Sequence, residues 1–118
     1  MTFDEFLAAL EGAIAALPND VIRVLDNVAF VAEDGEDDGP LGEYFGIPLV
    51  DRTGDPTGML PDKIVLYHRA IENECGGDAE AMREEIRRTL WHEIGHHVGW
   101  DDDALEHAEI ARGWREEP

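Results

Sequence analysis

One long helix, predicted from Asp78 to about Val98, constrains the fold of this chain more than any other segment. The pair Gly76-Gly77 interrupts the chain just before it, and Asp78 is a good N-cap. Gly99 provides the C-terminal stop. The apolar residues of this segment lie four positions apart, at Met82, Ile86, Leu90, Ile94 and Val98. A stripe at this spacing predicts a helix with one face packed on the core.

Shorter elements precede the long helix. A first helix is predicted over residues 2–17, where Thr2 and Glu5 have the spacing of a capping box. Three stretches rich in β-branched and aromatic residues predict strands: Asn27–Glu33, the Gly-interrupted segment Leu41–Val50, and Lys63–Tyr67. The segment after residue 103, which residues 101–103 can cap, predicts a short last helix. The chain therefore reads as α+β, with a small mixed sheet of about three to four strands.

The length and composition predict a single domain over residues 1–118. The 118 residues are long enough for one modest core, and 43% of them are apolar. The 28 Asp and Glu residues outnumber the nine Lys and Arg residues, which gives a net charge of −19. Such a field repels phosphate groups, so we expect neither nucleic acid nor a membrane surface as a partner, whereas cations or basic peptides suit it. A single cysteine, Cys75, and the lack of a signal-like or membrane-spanning segment predict a cytoplasmic protein.

The long helix carries a pattern of residues with metal chemistry. His92 and His96 are four positions apart, which places both imidazoles on one face of the helix, where they can bind one tetrahedral cation. Glu93 is rotated about 100° from His92 around the axis, so it suits a water molecule held by the metal better than the metal itself. This arrangement is typical of zinc hydrolases, in which the glutamate accepts a proton from the water.

A third ligand is predicted just after the helix. Asp102 lies ten positions beyond His92, about 15 Å along a continuing helix axis, so the chain must turn to bring it to the metal. Gly99 provides that turn. The pattern His-Glu-x-x-His-x-x-Gly-x-x-Asp therefore predicts His92, His96 and Asp102 as zinc ligands, with Glu93 as general base. Four nearby acidic or imidazole side chains also remain candidates for the third ligand, and they are Asp101, Asp103, Glu106 and His107.

Three further features have open interpretations. His97 is rotated away from the metal, and a supporting role, holding Glu93 or the sheet, is favoured over ligation. His68 reads as a surface or strand-end histidine. The strand Lys63–Tyr67 is either a plain core strand or an exposed edge with which an extended substrate pairs beside the helix.

The stretches TLWHEIGHHVGWDDDAL, LPDKIVLYHRAIENECGGDAEAMREEIRR and LGEYFGIPLVDR together resemble the small bacterial zincin-like metallopeptidase family. The resemblance extends from about residue 2 to about residue 110. It implies a minimal zincin-like fold, with the active-site helix packed beneath a small mixed sheet. It also implies zinc at His92 and His96, Glu93 as general base, and an acidic third ligand that falls on Asp102.

The leading hypothesis is a zinc metallopeptidase that hydrolyses a peptide or protein substrate through a metal-activated water and Glu93. A second hypothesis is a zinc-binding module that retains the motif without catalysis, and it is favoured by the lack of any methionine after Met82, where larger relatives of the resembled family have one. A metal-dependent endoribonuclease is a third, which the charge of −19 disfavours.

Overall fold

The structure, a computed structural model, describes residues 1–48 and 61–100, together with Asp103 and His107. Within these residues the chain forms four helices and one three-stranded sheet, which confirms the α+β class with an N-terminal helix and a small mixed sheet. The elements in chain order are α1 (Phe3–Ala15), α2 (Asn19–Val24), β1 (Val28–Glu33), β2 (Gly42–Phe45), β3 (Asp62–Tyr67), α3 (His68–Glu74) and α4 (Ala79–Val98).

The sheet has the order β1-β3-β2. Strand β3 pairs in parallel with β1 and antiparallel with β2, and its residues Ile64, Val65 and Leu66 are fully buried. The sequence Lys63–Tyr67 is therefore the central strand, so the hypothesis that it offers a free edge to a substrate is wrong. Among the described strands, β1 and β2 lie at the edges.

The core lies between the sheet and the helices α1 and α4. Four of the five residues of the predicted stripe on α4 are buried, and Val98 is partly buried. They pack with Phe6 and Leu10 of α1 and with the buried side chains of β3. Burial of each such side chain stabilises the fold by about 1.5–3 kcal/mol. Because this stripe fixes one face of α4 on the core, the adjoining face, with His92 and His96, remains near the surface.

The predicted starts of both long helices hold, as does the end of α4 at Val98, whereas α1 ends at Ala15, two residues before its predicted end. Thr2 and Glu5 form the capping box of α1, with each side chain accepting from the other residue's backbone N–H. Asp78 caps α4 through a hydrogen bond from the backbone N–H of Ala81, at 2.9 Å. These caps satisfy N–H groups that have no partner within a helix.

Two short helices are absent from the sequence prediction. Helix α2 contains three β-branched residues and has no side-chain cap at Pro18, so its local signal resembles a strand. Helix α3 begins at His68 directly after β3, again without a side-chain cap. His68 does follow the strand, as predicted, but it is buried and not a surface residue. Its Nε2 atom lies 2.8 Å from the carbonyl oxygen of Met1.

The predicted C-terminal helix lies almost wholly outside the described residues. Asp103 and His107, at its start and within it, are in helical conformation and exposed. No helix in the described part of the chain is long and apolar enough to cross a membrane.

Candidate metal centre

The last two turns of α4 carry the predicted site residues. The helix ends at Gly99, whose left-handed backbone (φ 98°) is strained for any residue with a Cβ atom. The N–H groups of Gly99 and Trp100 both donate to the carbonyl oxygen of Gly95, at 3.0 and 2.9 Å. The helix therefore stops, and the chain turns, where the sequence predicts.

His92, Glu93 and His96 come together on this helix. Their ligand atoms all lie within 4.8 Å of one another, and the two imidazole rings are 4.8 Å apart between centroids. The two histidines are half-buried and the glutamate is buried. Two nitrogen atoms bound to one zinc ion, each at about 2.0–2.1 Å, lie within roughly 4 Å of each other. The two imidazoles are therefore placed to act as two ligands of one zinc ion, with the Glu93 carboxylate beside them.

Glu93 is a buried carboxylate and not a solvated surface one. Its side chain is only 7% exposed. Burial raises the pKa of the Glu93 carboxyl, the charge of Glu43 raises it further, and His92 opposes the shift. A carboxylate with a raised pKa accepts a proton more readily at neutral pH.

A cleft of about 260 Å³ opens beside these residues, between α4 and strand β2. Helix α4 contributes one wall, and the segment Leu41-Gly42 contributes the other. A Cβ atom at Gly42 would lie 2.6 Å from Cγ2 of Thr89 and 3.4 Å from Cγ of Glu93. Gly42 therefore permits the strand to approach the helix at the position of Glu93. Sequence reasoning did not identify this residue, although a glycine inside a strand is a known signal of close backbone approach.

Charged side chains line the wall of the cleft that belongs to α4. Glu85 is largely buried, with 15% of its side chain exposed, and it accepts a hydrogen bond of 3.3 Å from the hydroxyl of Thr89. The guanidinium group of Arg88 lies 3.9 Å from the Glu85 carboxylate. The cleft therefore has a cation about one turn before His92 and an anion about two turns before it.

His97 is adjacent to the histidine pair but lies on the opposite, buried side of α4. It is fully buried, and its Nδ1 atom lies 2.8 Å from a carboxylate oxygen of Asp62. Its Nε2 atom accepts a hydrogen bond of 3.2 Å from the backbone N–H of Asp26. These bonds agree with the predicted supporting role, and they run to the sheet and not to Glu93.

The two tryptophans near the histidines, Trp91 and Trp100, do not line the cleft. Trp91 is buried in the core and packs against the ring of Trp100, with 5.4 Å between ring centroids. The two tryptophans thus form a packing contact at the end of α4.

Burial, followed by the charges of Glu85 and Glu74, raises the pKa of the Cys75 thiol, which disfavours the thiolate that binds metals.

The predicted third ligand, Asp102, lies outside the described residues, as do Asp101 and Glu106. The remaining two candidates for this position, Asp103 and His107, are both exposed. The structure thus brings together three of the four predicted site residues. Asp102 as a ligand stays a prediction.

Comparisons with known proteins agree with the geometry of this centre. The family model described as zincin-like metallopeptidase matches residues 21–112. Among solved structures, the chain is similar to a conserved hypothetical protein from Thermo thermophilus, with a TM-score of 0.53 and 22% sequence identity. That match covers 94% of this chain and 99% of the matched chain, and at this identity it shows a shared fold. No curated protein sequence gives a significant match.

Proposed function

Because the chain belongs to the zincin-like metallopeptidase family, we propose that it is a zinc-dependent peptidase. In this proposal His92, His96 and Asp102 hold the metal and Glu93 is the general base. The observation that carries the proposal is the meeting of two imidazoles and a buried carboxylate at the edge of a cleft. A cytoplasmic location, and the lack of nucleic-acid and membrane partners, stay predictions from the sequence.

Zinc bound by these residues would acidify a water molecule and polarise the carbonyl group of the substrate. Glu93 would take a proton from the water as the water oxygen bonds to the carbonyl carbon of the substrate, a task that the raised pKa of the Glu93 carboxyl favours. The same carboxyl group would then donate this proton to the amine nitrogen as the peptide C–N bond breaks. Burial of Glu93 supports both steps, since a proton held by a carboxyl group shielded from bulk water remains available for transfer.

The substrate would lie along strand β2. This strand is at an edge of the described sheet, and Leu41 and Gly42 form the wall of the cleft opposite the histidine helix. An extended peptide that pairs with this edge passes next to Glu93 and His92. The small cleft favours a short extended segment of peptide over a folded protein surface.

The experiment that tests this function compares the zinc-loaded wild type with Glu93→Gln on a library of unstructured peptides. We expect the wild type to cleave peptides, and Glu93→Gln to bind one zinc ion per chain with hydrolysis reduced about 100-fold or more, as for loss of a general base. Glu84→Gln is a matched control, because Glu84 is a half-exposed carboxylate on the same helix that pairs with Arg87. Equal cleavage by Glu93→Gln and the wild type would refute the mechanism.

The same experiment distinguishes the second candidate, a zinc-binding module without catalysis. This candidate uses the same two imidazoles and buried carboxylate as a metal site and assigns no turnover to them. It predicts one bound zinc ion and no cleavage of any peptide by the wild type.

A further inference from the structure

A buried hydrogen-bond network joins the end of the histidine helix to the sheet. Its centre is the carboxylate of Asp62, the first residue of β3, which is only 4% exposed. One oxygen of this carboxylate accepts hydrogen bonds from both Tyr44 and His97. The ring of Tyr44 also packs edge-on against the ring of His97, with 5.8 Å between centroids.

The two bonds of His97 define its protonation pattern. Because Nε2 accepts from the backbone N–H of Asp26, that nitrogen carries no proton. The proton of the neutral ring is therefore on Nδ1, which donates to Asp62. Both ring nitrogens are thus satisfied in a site without solvent exposure, which buried polar groups require.

His97 connects α4 to three other segments, to two of them by its own hydrogen bonds and to the third through Asp62. They are the residues that precede β1, through Asp26, the start of β3, through Asp62, and strand β2, through Tyr44. Gly46, just after β2, packs directly against the Asp62 carboxylate. A Cβ atom at this position would lie 2.6 Å from Oδ1 of Asp62. We call Tyr44, Asp62 and His97 the clamp.

The clamp acts on the turn of α4 that carries the second histidine of the metal centre. His96 immediately precedes His97, and the helix ends two residues after His97, at Gly99. The last turn of a helix has carbonyl groups without helical partners and is the part that frays. Fraying would displace His96, together with the segment that follows the helix. It would displace His92 less, because His92 lies about one turn further from the helix end.

We propose that His97 is a positioning residue for the metal centre, through the bonds that it makes to Asp62 and Asp26. This inference rests on the proposed zinc site. The clamp holds the final turn of α4 against the sheet and so keeps His96 in place relative to His92. The clamp also holds strand β2, through the bond from Tyr44 to Asp62. It therefore fixes both the metal ligands on α4 and the strand that forms the opposite wall of the cleft.

The test measures zinc affinity by competition with a chromophoric chelator, at a temperature where every variant is folded by circular dichroism. We expect His97→Ala to raise the Kd for zinc about tenfold or more. Tenfold is about the smallest loss of affinity expected when a residue that orients metal ligands is removed. His97→Asn should recover part of the affinity, because its amide nitrogen can occupy the place of Nδ1 and donate to Asp62. Tyr44→Phe, which removes a single hydroxyl group from the clamp, should weaken binding by a smaller factor.

The matched control is His68→Ala. His68 is also a buried histidine with a hydrogen bond, but its partner is the carbonyl oxygen of Met1 and its helix is α3. We expect this variant to lose stability and to keep the zinc Kd within a factor of about two. A second readout, on the zinc-free protein, is hydrogen exchange of the Gly99 and Trp100 amides, which should become faster in His97→Ala and not in His68→Ala.

The outcomes separate this inference from the proposed function. If His97→Ala is folded and binds zinc as tightly as the wild type, the positioning role is refuted, and faster amide exchange would then show a purely structural clamp. If His97→Ala does not fold, the same judgement rests on His97→Asn and Tyr44→Phe. A wild type that binds zinc without cleaving peptides refutes only the peptidase. A wild type that binds no zinc refutes both the zinc site and the positioning role.

Discussion

Replacing Gly42 by alanine tests how closely strand β2 and helix α4 must approach at the cleft. The added methyl group would lie 2.6 Å from Cγ2 of Thr89, 3.1 Å from the carbonyl oxygen of Val65 and 3.4 Å from Cγ of Glu93. The first distance is well below van der Waals contact, so the strand must move away from the helix or the side chains must shift. Overpacking of this kind destabilises by about 1–3 kcal/mol. The smaller backbone entropy of alanine in the unfolded chain offsets about 0.5–1 kcal/mol of this.

The expected net effect of Gly42→Ala is therefore a loss of about 1–2 kcal/mol in the free energy of unfolding, measured by urea denaturation. Thr89→Ser removes the methyl group that the new Cβ meets first, and it retains a hydroxyl for the bond to Glu85. In a double-mutant cycle, Thr89→Ser should restore about 1 kcal/mol to Gly42→Ala, while the contact with the Val65 carbonyl oxygen remains.

Gly12→Ala is the control for the substitution itself. A Cβ atom at Gly12 meets nothing within 4 Å, and the residue lies inside α1, so alanine should stabilise the protein by about 0.5–1 kcal/mol. A Gly42→Ala protein at least as stable as the wild type would refute the close approach of strand and helix. So would a double-mutant cycle with no coupling between positions 42 and 89.

Two further predictions concern the charge of Glu93 and the metal. The pKa of the buried Glu93 carboxyl is raised above its ordinary value of 4.5, so the folded protein binds this proton more tightly than the unfolded chain. Its contribution to stability is complete below the unfolded pKa and is lost as the pH rises through the folded pKa. Glu93→Gln cannot ionise, so it should make the zinc-free protein more stable than the wild type at about pH 7. The difference in the free energy of unfolding should shrink toward about pH 4, and urea denaturation at several pH values measures this difference. A difference that grows as the pH falls would contradict the assigned shift. Chelation of zinc should abolish cleavage and lower the Tm by several degrees, because zinc at about 100 times its Kd stabilises the folded state by about 2.7 kcal/mol. Zinc, and not magnesium, should restore both properties, and a Tm that chelation leaves unchanged would argue against the site.

The sequence predicts the long helix and the site residues on it because their signals are local. The cap at Asp78, the stop at Gly99 and the spacing of His92 and His96 each depend on residues only a few positions apart. The capping box of α1 is another local signal of the same kind.

The remaining features depend on contacts between segments that are distant in sequence. The central position of β3 follows from its pairing with two strands, which its own composition does not specify. Helix α3 follows β3 without a cap or a glycine, so the sequence has no signal of the change from strand to helix. Asp62 directly precedes the predicted strand Lys63–Tyr67, and its role emerges only because β2 brings Tyr44, and α4 brings His97, to the same carboxylate.

The most direct test of the proposed metal centre is the X-ray absorption spectrum of the zinc-loaded protein. We expect one zinc ion with two imidazole nitrogens, from His92 and His96, and oxygen ligands, all at about 2.0–2.2 Å. In Asp102→Ala, the two imidazoles should remain while the zinc affinity falls. A sulfur ligand at about 2.3 Å, which would have to come from Cys75 or a second chain, would contradict the proposed ligand set, as would a zinc ion with fewer than two imidazoles.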